Sequence, residues 1–317
     1  MSGFPYEAFD LSAVRTYPLA SRRSKVRVDD FARPLPEGAD IDAFLASLPR
    51  LLAADDLRAV ASAVARAARE GHGVVWGLGA HVIKTGLAPV LIDLMERGFV
   101  SAIATNGAAV IHDVEVALAG ATSEDVDEAL GPGQFGMAQE TAALLNGAMV
   151  RGVAAGRGLG EIVVEAVGAG ALPYAAVSVL AAAGRLGIPV TVHVALGTDV
   201  IHMHPATSGA ALGEGSLRDF RYLASSVARL ERGVYLNWGS AVVLPEVFLK
   251  AVAVARNAGV PLAGLTTANF DFIRHYRPQT NVVRRPTAGG TGQGYSLVGH
   301  HELLLPLFAA AVRRAAG

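Results

Sequence analysis

The sequence predicts an α/β protein, a parallel β-sheet with helices on both faces. Three observations lead there. Apolar, strand-like segments alternate with amphipathic, helix-like ones. Hydrophobic residues make up 52% of the chain but aromatics only 6%, the composition of helices packed closely on an aliphatic sheet. The 317 residues suffice for a sizeable core, and no internal repeat or long linker divides them.

Residues 1–40 are polar and Pro-rich and read as an N-terminal arm. Within it "SRRSKVRVDD" places Arg22, Arg23, Lys25 and Arg27 ahead of Asp29 and Asp30. That is a solvated segment, or one reaching an anionic group or a neighbouring subunit. Residues 41–317 read as a single α/β domain. From Asp55 the apolar residues Leu57, Val60 and Val64 recur at helical spacing, with Gly71 placed to end the helix. "GVVWGLG" (73–79) reads as a buried strand, "LAPVLIDLMERG" (87–98) as an amphipathic helix and "FVSAIAT" (99–105) as the next strand. "TSED" (122–125) has capping-box spacing and predicts a helix start. Helical patterns fill much of 134–186. "IPVTVHVAL" (188–196) predicts a strand, "SLRDFRYLASSVARL" (216–230) a helix and "GVYLNWG" (233–239) another strand. Pro245 suits the first turn of the helix that follows, and "LAGLTTA" (262–268) reads as the last clear strand.

A net charge of −1 does not suit an extended polyanion such as nucleic acid. The absence of cysteine removes disulfides, thiolate metal sites and a cysteine nucleophile, and fits a cytoplasmic protein. "MSGFPYEAFD" lacks the pattern of a secretory signal. The longest small-apolar stretch, around 166–183, contains Pro173 and does not read as a membrane span.

Parallel sheets bind ligands at the carboxyl ends of their strands, and here those ends carry the polar residues. "GLGAHVIKTG" follows the first strand, and its Gly77, Gly79 and Gly86 would let a ligand approach the backbone. It is neither a Walker loop nor a full dinucleotide fingerprint. Thr105, Asn106, Asp199, Asn237, Ser240, Asn269 and Asp271 fall after successive strands and predict a cleft. His112, Asp113 and Asp199 are candidate acid–base groups. His193, His202 and His204 flank Asp199. They predict polar lining of the cleft, with metal-assisted hydrolysis as an alternative and no metal as the expectation.

In order, these motifs resemble the deoxyhypusine synthase family. The resemblance runs from about residue 70 to the end, through "GAHVIKTGL", "VSAIATNGAAVIHDVEVALAG", "LGIPVTVHVALGTDVI", "GVYLNWGSAVV", "TTANFDFIRHYRP" and the closing "ELLLPLFAAAV". It implies a Rossmann-like sheet, bound NAD, and homotetramers whose sites lie between subunits, with an arm able to cover a neighbour's site. It also implies oxidation of spermidine and aminobutyl transfer through an imine on a lysine. Gly79, with its freedom for close approach, lies beside the positions that the resemblance maps onto the cofactor. These are His81 with Val82, Thr105, Asn106, Gly107, Gly239, Ser240, Thr267, Ala268 and Asp271. Asp199 matches an acidic residue after the third strand.

The departures fall on the substrate side. Ile111-His112 stand where the family has two glutamates, and "AVVLPEVF" replaces its histidine segment. "TNVVRRP" carries Arg284 and Arg285 where the imine-forming lysine belongs. Arginine stays protonated and cannot form the imine. Of the three lysines, Lys25, Lys84 and Lys250, only Lys84 lies beside the proposed cofactor loop. It is a candidate for phosphate or carboxylate binding ahead of imine formation. The expectation is a NAD-dependent transferase or oxidoreductase acting on a small amine or hydroxy compound, not a faithful deoxyhypusine synthase. Lys84, His112, Asp113 and Asp199 would act catalytically, and Arg277, Arg284 and Arg285 would hold an anionic substrate group. A non-catalytic NAD-binding or sensing protein is the other alternative.

Overall fold

A computed structural model describes residues 3–169 and 172–317. Met1 and Ser2, and Gly170 and Ala171 within the small-apolar stretch, lie outside it. Six strands form one all-parallel sheet in the order β3-β2-β1-β4-β5-β6. In chain order these are β1 (Val74–Leu78), β2 (Ala102–Asn106), β3 (Val190–His193), β4 (Val234–Trp238), β5 (Thr266–Asp271) and β6 (Gln293–Val298). This is the doubly wound Rossmann-like order, with its reversal between β1 and β4.

Because side chains alternate along a strand, each strand feeds both layers. Trp76, Ile103, Trp238 and Phe270 face one layer, which includes helices Leu52–Glu70, Ala88–Glu96 and His301–Ala316. Trp238 stacks on Phe270 at 3.9 Å between ring centroids, a pairing worth about 1 kcal/mol beyond its buried area. Val75, Ala104 and Tyr235 face helices Gly209–Val227 and Val243–Asn257, where Tyr235 stacks on Phe248 at 3.6 Å. Among the described residues no helix is long and apolar enough to cross a membrane.

The structure shifts several expected elements. "TSED" does not begin a helix at Thr122. Asp125 caps the short helix Val126–Leu130 by accepting the Asp127 and Glu128 N–H groups, and Thr122 bonds elsewhere. The strand expected at 262–268 runs instead over Thr266–Asp271, because a turn occupies its first residues. β6, whose side chains are mostly half exposed, carries no clear apolar alternation and was not foreseen. "GAAVIHD" lies in the helix Gly107–Ala119, capped by the Asn106 side chain on the Ala109 N–H. His202 and His204 do not lie on a strand; a 3₁₀ turn spans Val200–Met203.

β3 is an edge strand, and a bare edge invites pairing with another chain. Helix Gly209–Val227 closes it with side chains. Asp219 accepts the Val192 N–H at 2.7 Å and the Gly160 N–H at 2.7 Å, while Ser216 accepts the Val194 N–H. Burial pushes Asp219 from its ordinary 3.8 up to about 7. On the same strand, burial lowers His193 from 6.5 to about 4.

These shifts oppose one another. Above pH 3.8 the unfolded chain releases the Asp219 proton, whereas the folded chain holds it to about 7, so this term loses stability as pH rises. Below pH 6.5 the unfolded chain protonates His193 and the folded chain does not until about 4, so that term loses stability as pH falls. Each slope is at most about 1.4 kcal/mol per pH unit, and they offset over their shared range. Asp219→Asn should therefore uncover the His193 slope. Relative to wild type, the variant should lose stability on acidification from pH 6.5 toward 4, read from urea midpoints across pH. Parallel pH dependences would contradict this assignment.

Candidate functional site

The carboxyl ends of β1, β4 and β5 meet at the switch point. Gly79 lies against the Gly239 carbonyl, so a side chain there would overlap it. Gly239 has φ +66 and sits under the His301 ring. Gly77 does not face a ligand: the Tyr235 hydroxyl fills the space beside it. Val82, at the fingerprint's third glycine, is buried. His81 and Phe272 flank His301, with centroids 5.3 and 6.4 Å from its ring.

Three buried acceptors at this rim, His301 Nδ1, Asp271 Oδ2 and Asn237 Oδ1, have no partner among the described residues. His301 donates from Nε2 to the Phe270 carbonyl at 3.3 Å, so in the neutral ring Nδ1 holds a bare lone pair. Burial holds this imidazole below its usual range. Asp271 Oδ1 accepts the Phe272 N–H, but Oδ2 is buried and unbonded, 3.8 Å from His275 Nε2. Such acceptors suit a ligand that brings hydroxyl donors.

Beside this rim lies a cavity of about 190 Å³, reached by Lys84, His112, Glu115, Glu124 and Asp199. Asp199 seats against the start of helix Gly107–Ala119, where a Gly107 side chain would overlap its carboxylate. Burial raises its pKa against the opposing pull of His202 and the Ala108 N–H. His202 Nδ1 accepts the Gly197 and Asp199 N–H groups, which puts its ring hydrogen on Nε2, 3.7 Å from Asp199 Oδ2. Sequence reasoning missed Glu115 and Glu124. Glu115 lies one helical step beyond His112, a spacing that becomes visible once that helix is known.

Other expected site residues have structural roles. Asp113 is fully buried and accepts from the Ser178 hydroxyl and the Val179 and Leu180 N–H groups, anchoring helix Val179–Leu186. Thr105 donates to the Leu78 carbonyl, and Asn106 and Gly107 build the helix start under Asp199. Thr267 and Ala268 fall inside β5, not at its end, and Thr267 donates to the Val282 carbonyl. The Ser240 hydroxyl accepts the Leu244 N–H. Arg277 pairs with Glu246 at 3.3 Å near the rim. Arg284 ends the segment 279–284 and Arg285 follows it, neither lining the cavity of Lys84; Arg285 bonds Asn281, whose amide bonds the Glu246 carboxylate that Arg277 pairs with. Their expected substrate role is not supported by that position. Lys250 is exposed and pairs with Glu246. His193 bonds Thr191 in the interior, and among the described residues no three His, Cys, Asp or Glu side chains gather to hold a metal.

No family model and no curated protein matches the sequence. Among solved structures, the chain is similar to a conserved LOR/SDH protein from Methanococcus maripaludis S2, with TM-score 0.52 and 18% identity over 88% of this chain and 72% of that one. It is similar to unliganded AgrE with TM-score 0.52 and 20% identity, over 82% of this chain and 33% of that one. The chain thus spans about a third of AgrE. A deoxyhypusine synthase from Entamoeba histolytica gives TM-score 0.48 and 12% identity, over 89% of this chain and 96% of that one. At these identities the two likenesses with TM-score 0.52 show a shared Rossmann-like fold and nothing finer.

The structural role of Asp113 makes a direct prediction. Asp113→Ala strands one hydroxyl and two N–H groups in the interior and should cost about 3 kcal/mol of stability, read as a lower urea midpoint. An unchanged midpoint would remove the anchoring role.

Proposed function

We propose that this protein is a NAD-dependent enzyme acting on a small amine or hydroxy compound, and not by aminobutyl transfer. One juxtaposition carries the reading: the helix His81–Lys84 joins a switch-point rim with unpartnered acceptors, at His81, to a cavity bearing Lys84, His112 and Asp199. Asp271 and His301 would accept the hydroxyls of a cofactor ribose, and the close approach of Gly79 to Gly239, and of Gly239 to His301, holds the turns after β1 and β4 together beside them. A bound nicotinamide supplies a hydride acceptor. The chain's own part is to hold the substrate by Lys84 and to take its O–H or N–H proton at His112 or Asp199. The lysine-free "TNVVRR" segment and the surface position of Lys250 support oxidation over transfer.

A homo-oligomer, with sites between subunits, belongs to the same proposal. It is supported by the arm, where Phe9 is 85% and Val28 78% exposed alongside Phe4, Tyr6 and Tyr17. Apolar groups at that density call for a covering partner.

Calorimetry with NAD tests the cofactor. Wild-type protein should bind it, and Asp271→Ala should bind about tenfold more weakly, about 1.4 kcal/mol. Absence of binding to the wild type would overturn the reading.

A further inference from the structure

His112 lies in the second turn of helix Gly107–Ala119, and Glu115 follows on the same face. Thr122, just past the end of that helix, folds back between them. Its hydroxyl oxygen lies 2.7 Å from His112 Nδ1 and 2.5 Å from Glu115 Oε2. Thr141 bonds the other Glu115 oxygen at 3.4 Å. Although burial pushes Glu115 up, the neighbouring His112 and the Thr122 and Thr141 hydroxyls outweigh it and hold the carboxyl below its usual range.

The hydrogen count in this cluster has one solution. An ionised carboxylate only accepts, so the single Thr122 hydroxyl proton goes to Glu115. Thr122 then faces His112 with a lone pair, and Nδ1 must carry the ring hydrogen. In the neutral ring this leaves Nε2 as the bare acceptor. His112 borders the cavity with its side chain 18% exposed, and among the described residues Nε2 has no hydrogen-bond partner. Across that cavity Lys84 forms no ion pair among the described residues. The carboxylates there each have a donor of their own: Glu115 has Thr122, Glu124 the Gly136 N–H and Asp199 the Ala108 N–H. The group left to be answered by a ligand is therefore the cation.

We propose that Thr122 and Glu115 are positioning residues that lock neutral His112 as its Nδ1–H tautomer, so that Nε2 takes a proton from the hydroxyl or amine of a small carboxylate held by Lys84. In that step the substrate O–H or N–H bond breaks, the Nε2–H bond forms, and the electron pair stays on the substrate atom. The resulting imidazolium is offset by Glu115, 3.8 Å away. The proposal rests on the cavity being the substrate site, but not on NAD being the cofactor.

The test is NMR of the full chain carrying isotope-labelled histidine, with His112→Gln identifying the His112 signal. Neutral His112 should be the Nδ1–H tautomer in wild type. It should lose that preference in Thr122→Val and keep it in Thr122→Ser, which retains the hydroxyl. An Nε2–H tautomer in wild type would overturn the relay by itself, whatever the variants do, as would an unchanged tautomer in folded Thr122→Val. Titration with glycolate should shift the His112 signal in wild type and fail to do so in Lys84→Gln. No wild-type shift, or an equal one in the variant, would overturn the carboxylate assignment. Loss of NAD binding in the calorimetry would leave the tautomer result standing, so the two readings fail separately.

Discussion

Six parallel strands covered on both faces leave the chain few places for polar chemistry. Every crossover must depart from the carboxyl edge, pass over a face as a helix and re-enter at the other edge. Within the sheet the backbone groups are spent on the ladder, and the faces are spent on packing. Asn237, Asp271 and His301, at that edge, consequently carry acceptors that no other group satisfies among the described residues. The cavity of Lys84, His112 and Asp199 is lined from the helices and loops that follow β1, β2 and β3.

Three buried aspartates show how one residue type is given different tasks by its surroundings. Asp113 is enclosed by a hydroxyl and two amides and anchors a helix start. Asp219 spends one oxygen on two amides and shields the β3 edge. Asp199 also sits at a helix start, yet it borders the cavity and faces the ring hydrogen of His202. All three have their pKa raised by burial. The difference that matters for chemistry is access.

The strongly periodic elements were legible before any coordinates. Helix Leu52–Glu70 with its Gly71 end, and the strands around Val75, Ile103, Val192 and Leu236, follow directly from apolar spacing. The misreadings have local causes. "TSED" satisfies a capping box on paper, but the side chains of Glu115 and His112 draw Thr122 away and Asp125 takes the cap. "LAGLTTA" is apolar enough for a strand, but the register of β5 against β4 begins at Thr266. That offset carried Thr267 and Ala268 into the interior and left Asp271 at the end. Of the residues expected to act, Lys84, His112 and Asp199 line one cavity, while Asp113 anchors a helix start and Arg285 bonds Asn281.

The sequence by itself determined the alternation of helix and strand, and with it a parallel sheet whose polar residues collect at strand ends. Periodicity is local, and hydrophobic burial enforces it wherever the segment ends up. Tertiary structure alone decided which polar residues share a space. Whether Thr122 caps a helix or bridges His112 to Glu115 depends on how a segment beyond one helix folds back over it. Whether Gly77 serves a ligand or makes room for Tyr235 depends on the register of β1 against β4. Hydrogen bonding and steric contact act over a few ångströms, between residues whose separation along the chain does not specify their separation in space.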